Sequence, residues 1–243
     1  MFELTLLLTS ILAGAVAAVA GFGIGSLLTP VFASQIPLKL AVAAVSIPHL
    51  LATAIRFVML REHVDRRLLW TFGIFSAIGG LSGALAHRWA TSPALAVVFG
   101  CALLLASLSE LTGAARRVRL HGAAAWIAGA VSGILGGMVG NQGGIRSAAL
   151  LGFQTTRIAF VATATAVALL VDGARMPVYL WLQGEALLGL AVPIAIACIG
   201  CVVGTFWGRK LLERMPEAVF RKVVALLILG LGGYMLAAGM RGL

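Results

Sequence analysis

Two apolar runs in this chain, 4–34 and 122–152, are too long to cross a bilayer once, and each is interrupted by glycines. A spanning helix takes roughly 17–25 residues. The interruptions read GFGIG at 21–25 and GGMVGNQGG at 136–144, and glycine clusters at such depth break a helix. Six further apolar runs, 38–60, 68–87, 93–112, 155–173, 184–207 and 217–240, have spanning length. Apolar residues make up 61% of the chain and charged residues 11%, whereas soluble domains are about a quarter charged. Mean hydropathy is +1.06. These values define an all-α polytopic membrane protein, with residues 1–243 forming a single transmembrane domain.

The two broken runs occupy matching places in two halves, about 4–112 and about 122–240. Gly14, Gly21 and Gly25 align with Gly129, Gly136 and Gly140 at a constant offset. Lys39 then matches Arg157, Arg56 approximately matches Arg175, Gly79 and Gly83 match Gly200 and Gly204, and Arg88 matches Arg209. The offset drifts by a few residues, as changes in loop length produce. An internal duplication accounts for this order better than chance matching of glycines. The Gly-xxx-Gly pairs 79/83 and 200/204 read as close-packing devices between helices.

Basic loops set the topology. Segments 61–67 (Arg61, Arg66, Arg67), 113–121 (Arg116, Arg117, Arg119) and 208–222 (Arg209, Lys210, Arg214, Arg221, Lys222) all belong on the cytoplasmic side. The first two are two crossings apart and agree. The last two agree only if 122–152 enters and leaves on one side, as a hairpin. The same logic for 4–34 puts both termini on the periplasmic side of a bacterial inner membrane. Each half is then a glycine-broken helical hairpin followed by three transmembrane helices, and the second repeat is inverted relative to the first. Inverted repeats with broken helices in matching positions are a transporter signature, with the substrate site at the midplane.

The net charge of +10 resides in short loops between apolar runs. That is the positive-inside pattern and not a nucleic-acid surface. Met1-Phe2-Glu3-Leu4 carries no basic segment, so the first apolar run is expected to belong to the mature chain. The cysteines, Cys101, Cys198 and Cys201, all fall in apolar spans. The CIGC pair at 198–201 reads as small packing residues, with a redox pair as the alternative. Trp70, Trp89, Trp126, Trp181 and Trp207 sit where interfacial belts are expected.

Gly140-Asn141-Gln142-Gly143-Gly144 followed by Arg146 is the most informative stretch. Two amides and an arginine are costly to insert deep in an apolar run. An arginine cannot shed its charge, so it needs a partner or water. A helix starting near Asn141 would aim free N–H groups and its dipole at an anion. Arg146, about one turn on, adds a fork suited to carboxylate, sulfonate or sulfite oxygens. Gly25 and Ser26 offer the matching N–H groups from the other repeat. His49 lies near mid-depth beside Pro48, as a ligand donor, a proton carrier or a packing histidine. Arg56 and Arg175 lie near opposite ends of equivalent spans, either attracting anions into each vestibule or anchoring at the interface. Thr163 and Thr165 either bind substrate or bond their own backbone.

None of the eight acidic residues is expected at mid-span, with Glu110 and Asp172 near span ends. A carboxylate relay or carboxylate sodium site is therefore not expected. Walker, metal-ligand and catalytic-triad patterns do not occur, so no cofactor or metal is called for. Proton coupling and uncoupled flux both remain open, since an inside-negative potential alone supplies about 2.3 kcal/mol per charge per 100 mV to an exiting anion. A membrane-embedded enzyme acting on a lipid or small anionic substrate is the alternative of a different class. It would need a nucleophile, acid–base pair or metal set at an interface. An anion channel is the third reading.

On GAVAAVAGFGIGSLLTP (14–30), its repeat GAVSGILGGMVGNQGGIRSAALL (129–151) and the basic loop between halves, the chain resembles the TauE/SafE sulfite exporter family. The resemblance covers nearly the whole length. It implies export of sulfite, sulfoacetate or related organosulfonates by alternating access. Phe22 and Ile24 make the first break less glycine-dense than the second, so the halves are expected to contribute unequally.

Overall fold

The computed structural model describes residues 1–86, 92–114, 123–139, 146, 157–212 and 216–242. Among these, every regular element is helical: α1 (Phe2–Ala20), α2 (Ile24–Ala33), α3 (Leu38–Leu60), α4 (Ile74–Ala86), α5 (Ser92–Leu111), α6 (Ala123–Val139), α7 (Arg157–Leu188), α8 (Ala191–Leu212) and α9 (Glu217–Gly242). A 3₁₀ turn at Arg61–His63, a helical turn at Arg66–Leu68 and a π-helical turn at Leu69–Gly73 link α3 to α4. Asp65 starts the second of these, its carboxylate accepting from the Leu68 N–H at 3.1 Å, which is an N-cap.

The protein is turned inside out relative to a soluble fold. Leu4, Leu8 and Leu12 form an exposed stripe on α1, and Ile199, Phe206 and Trp207 are exposed on α8. Ser10, Thr53, Ser76, Ser132, Thr163 and Asp172 are fully buried. Lipid is the solvent such a surface requires. By length and composition, Phe2–Val19, Leu38–His63, Arg66–Ala86 and Ala159–Leu188 are each sufficient to cross a membrane.

The first broken run resolves into unequal arms. α1 is about 28 Å long and α2 about 15 Å, from a rise of roughly 1.5 Å per residue. Glycine is required at the break: Gly21 has φ +76° and Gly23 φ +134°, regions that side chains rarely adopt. The Gly21 N–H closes α1 on the Ala17 carbonyl at 3.0 Å, and the Gly23 carbonyl opens α2 by accepting from Leu27 at 3.0 Å. Eight of the ten α2 residues are buried, including Ser26, Thr29 and Pro30. This half-length helix therefore lies within the protein and not against lipid.

α1 packs along α8, α4 along α6, α3 along α7, and α5 along α9. The glycines decide how closely. A Cβ on Gly204 would strike the Ile11 carbonyl, and one on Gly14 the Cys201 carbonyl. A Cβ on Gly79 or Gly83 would strike the backbone of Ala130 or Ile134. Both Gly-xxx-Gly pairs are thus close-packing devices, as expected. Cys201 is buried in the α1–α8 seam and Cys198 half-buried, both as free thiols. The contacts also give direction: α1 runs parallel to α8 and α4 to α6, while α5 runs antiparallel to α9. α3 runs antiparallel to α7, His49 meeting Asp172 and Arg56 meeting Thr165.

One expectation fails here. The apolar runs 155–173 and 184–207 are expected to end one span and begin the next, with residues 174–183 between them. Instead α7 continues through these residues, for 32 in all, and the next helix starts at Ala191. Pro177 is accommodated inside α7. The longer helix carries Asp172 from a supposed span end to the helix centre, where it is fully buried. The expectation that no carboxylate lies at mid-span is overturned.

Candidate functional site

The site is built on two antiparallel helices, each with a polar stripe. On α3, His49, Thr53 and Arg56 follow at i, i+4 and i+7, one face of a helix. On α7, Thr165, Asp172, Arg175 and Tyr179 likewise share a face. All seven are buried.

Asp172 is the hub. One carboxylate oxygen lies 2.6 Å from His49 Nδ1, and the other lies 2.8 Å from Arg175 Nη2. The guanidinium of Arg175 also stands 5.8 Å from the centre of the Tyr179 ring, a cation–π distance. The Tyr179 hydroxyl donates to the Gly137 carbonyl in the last turn of α6. Arg56 donates from Nε to Thr165 Oγ1 at 2.9 Å. Thr163 Oγ1 accepts from the Asp65 backbone N–H at 2.9 Å. Both threonines therefore serve as acceptors between segments and do not simply bond their own helix.

Arg146 belongs to the same centre. It is 1% exposed, and its Nη2 faces the Gly21 carbonyl at 3.4 Å. Its charge is felt by His49 and Asp172, and it in turn feels Arg56 and Arg175. Of the three buried guanidinium groups, that of Arg175 contacts the carboxylate, while Arg56 and Arg146 are held by Thr165 and Gly21. No described residue pairs with Arg146 Nε, Arg146 Nη1 or Arg56 Nη1. The segments 140–145 and 147–156 contain no Asp or Glu, so they bring no carboxylate to the centre. Among the described residues, the buried charges of the centre sum to an excess of two positive charges when His49 is neutral.

Of the candidate residues, His49 and Arg175 meet at Asp172. Gly25 and Ser26 lie in the buried first turn of α2, immediately after the break whose carbonyl holds Arg146. The N–H groups of Ile24, Gly25 and Ser26 have no acceptor within their own helix. Gly140, Asn141 and Gln142 lie outside the described residues. Arg56 and Arg175 depart from expectation: they are 3% and 1% exposed, with Arg175 paired to Asp172 and Arg56 bonded to Thr165 on α7. An interface cannot solvate them at that burial, so the partner has to be internal. Asp172, Thr53 and Tyr179 were missed; the α7 stripe at 165, 172, 175 and 179 is the signal for Asp172 and Tyr179, and the α3 spacing 49, 53, 56 is the signal for Thr53. Among the described residues, no group of His, Cys, Asp and Glu is arranged to hold a metal.

An apolar exterior around a buried, net-cationic interior defines an integral membrane protein whose core attracts anions. The family model described as Sulfite exporter TauE/SafE matches residues 6–235. The chain belongs to that family of membrane exporters. No curated protein and no solved structure matches it.

Proposed function

We propose that this protein exports a small sulfur-containing anion, namely sulfite, sulfoacetate or a related organosulfonate, by alternating access. The observation that carries the reading is the burial of three arginines, Arg56, Arg146 and Arg175, against one buried carboxylate, Asp172, among the described residues. Burying an unpaired charge costs several kcal/mol, on the order of 3–5 when a partner is removed. A protein keeps such a cost where a mobile ligand completes the pairing. Arg146 and Arg56 carry guanidinium N–H groups that no described residue engages, and the start of α2 supplies a favourable dipole. Gly25, Ser26, Arg146 and Arg56 form the inner set. Gly140, Asn141 and Gln142 are assigned to the same set from the sequence alone, and Arg175 and His49 complete the centre through Asp172.

The proposed scaffold is a pair of inverted repeats, about 4–112 and about 122–240. The packing supports it: α1 lies along α8 as α6 lies along α4, which is the same pairing with the halves exchanged. The equivalent helices α3 and α7 run antiparallel, as do α5 and α9. An axis in the membrane plane produces that relation. The protein would sit in the inner membrane with the loops 61–67, 113–121 and 208–222 cytoplasmic and both termini periplasmic.

The test is thermal melting of the purified protein with sulfite, sulfoacetate, taurine, sulfate, acetate and phosphate. A ligand bound only to the folded state raises the melting temperature by mass action, by about 2.7 kcal/mol at a hundredfold excess over Kd. Stabilisation confined to sulfite or sulfonates is the expected result. The same shift with every anion, or none with any, sinks the substrate assignment.

A further inference from the structure

We infer that His49 and Asp172 form a proton site coupled to the anion site, so that each transported anion is accompanied by one proton. The inference rests on the anion-carrier reading above. Among the groups of the centre, His49 is the one that ordinarily changes charge near neutral pH, whereas the guanidinium groups keep theirs. Its Nδ1 is committed to Asp172 at 2.6 Å, which fixes the ring and leaves Nε2 to gain or lose the second proton. The proton has a route through the histidine and not the carboxylate, because the His49 side chain is 8% exposed and that of Asp172 is 0% exposed.

The charged and titratable groups around His49 set the sign of the coupling. From α7 come Asp172, Arg175 and Tyr179, Arg146 adds its charge, and Arg56 shares α3 with it. α8 brings Cys198 and Cys201, which are neutral packing thiols, and α2 brings no titratable side chain. From α5, Cys101 is exposed and Glu110 lies in the last turn. With the anion site empty, a proton on Nε2 adds a third unmatched positive charge to the centre. An anion against Arg146 and Arg56 offsets that charge, so the proton is held while the anion is bound. Linkage makes this reciprocal: the proton strengthens anion binding by the same factor. The proton comes from water, forms an imidazolium paired with the Asp172 carboxylate, and returns to water when the anion leaves. A carrier loaded this way moves one negative charge fewer per cycle than the anion alone bears.

The experiment uses the full-length protein in vesicles holding a trapped pH dye, with the membrane potential clamped. Sulfoacetate is added outside at neutral pH, where both its acidic groups are ionised, so it delivers no proton and does not cross lipid unaided. Anion uptake and lumenal pH are recorded separately. The expected result is acidification in step with uptake, at one proton per anion. In His49→Gln, uptake is slower, free of acidification and independent of pH. Uptake without acidification in the unsubstituted protein overturns the inference and leaves the carrier reading standing. Acidification that persists in His49→Gln removes His49 from the role. Absence of uptake overturns the carrier reading and the inference with it. The proton-to-anion ratio of the unsubstituted protein needs no variant to fold.

Discussion

Replacing Asp172 by Asn separates charge from shape at the hub of the centre. The asparagine keeps one acceptor oxygen, for His49 or for Arg175, turns an amide N–H towards the other, and removes the negative charge that both contact. Breaking a buried ion pair by neutralising one partner costs about 3–5 kcal/mol. Two contacts, at 2.6 Å and 2.8 Å, converge on this carboxylate, which favours the upper end. At about 2–4 °C per kcal/mol for a chain of this size, the melting temperature falls by on the order of 10 °C. Anion affinity moves the other way. At an effective dielectric of about 20, a carboxylate sharing the centre with the anion repels it by on the order of 1 kcal/mol, so its removal tightens binding by about 10-fold. The Asp172→Asn protein is therefore less stable when empty and more strongly stabilised by sulfoacetate. Melting curves across a sulfoacetate titration read both effects on one sample. An empty protein that melts with the wild type refutes the counter-charge role. Weaker anion binding refutes the competition, and Asp172 would then be holding Arg175 in place for the ligand.

Arg146→Ala abolishes anion-dependent stabilisation while the empty protein stays folded, and Arg146→Lys binds about 10- to 100-fold more weakly than wild type because a point charge replaces a planar fork; titrated melting measures both. Tyr179→Phe removes the tie to the Gly137 carbonyl and lowers stability by about 1–3 kcal/mol through the acceptor left unpaired, read as a lower melting temperature. Gly204→Leu forces a side chain into the Ile11 backbone and costs about 1–3 kcal/mol or more, whereas Gly230→Ala, which meets nothing within 4 Å, stays within about 0.5 kcal/mol. Gly140→Leu blocks transport and Gly230→Ala does not. Gly230 serves better than Gly232, whose Cβ would lie 2.8 Å from that of Leu103.

The scaffold was legible because membrane folding writes itself in long apolar runs, and its exceptions in glycine. The break at 21–25 appears as two positive-φ glycines, and the pairs 79/83 and 200/204 appear as helix contacts. The site was only half legible. Arg146, His49, Gly25 and Ser26 stand out as polar or small residues in apolar surroundings. Asp172 did not, because Asp, Gly, Arg and Pro within six residues carry the chemistry of a loop. What keeps them helical is tertiary: the partner that takes up the Asp172 charge, His49, lies 123 residues away. No local window contains that information. The positions of Arg56 and Arg175 were misjudged for the same reason, since depth was measured from span ends that α7 does not respect.

A contact joins the two runs that first set this sequence apart, and its weakness is informative. Arg146, from the second long run, holds the carbonyl of Gly21, at the break in the first, across 3.4 Å. That is longer than the 2.7–3.2 Å usual for an N–H···O bond, and the acceptor is neutral. A bond from the same guanidinium to an anion is charge-assisted and roughly twice as strong. On the proposed reading, the Gly21 carbonyl is a placeholder that an arriving anion displaces. Displacement leaves the break with one tie fewer to the second half, at the point where glycine alone sets the backbone. Occupancy of the site and the freedom of α2 to move against α1 are then two ends of one exchange. An arginine satisfied by a stronger neutral partner would lose both properties, which is a physical reason for the contact to be poor.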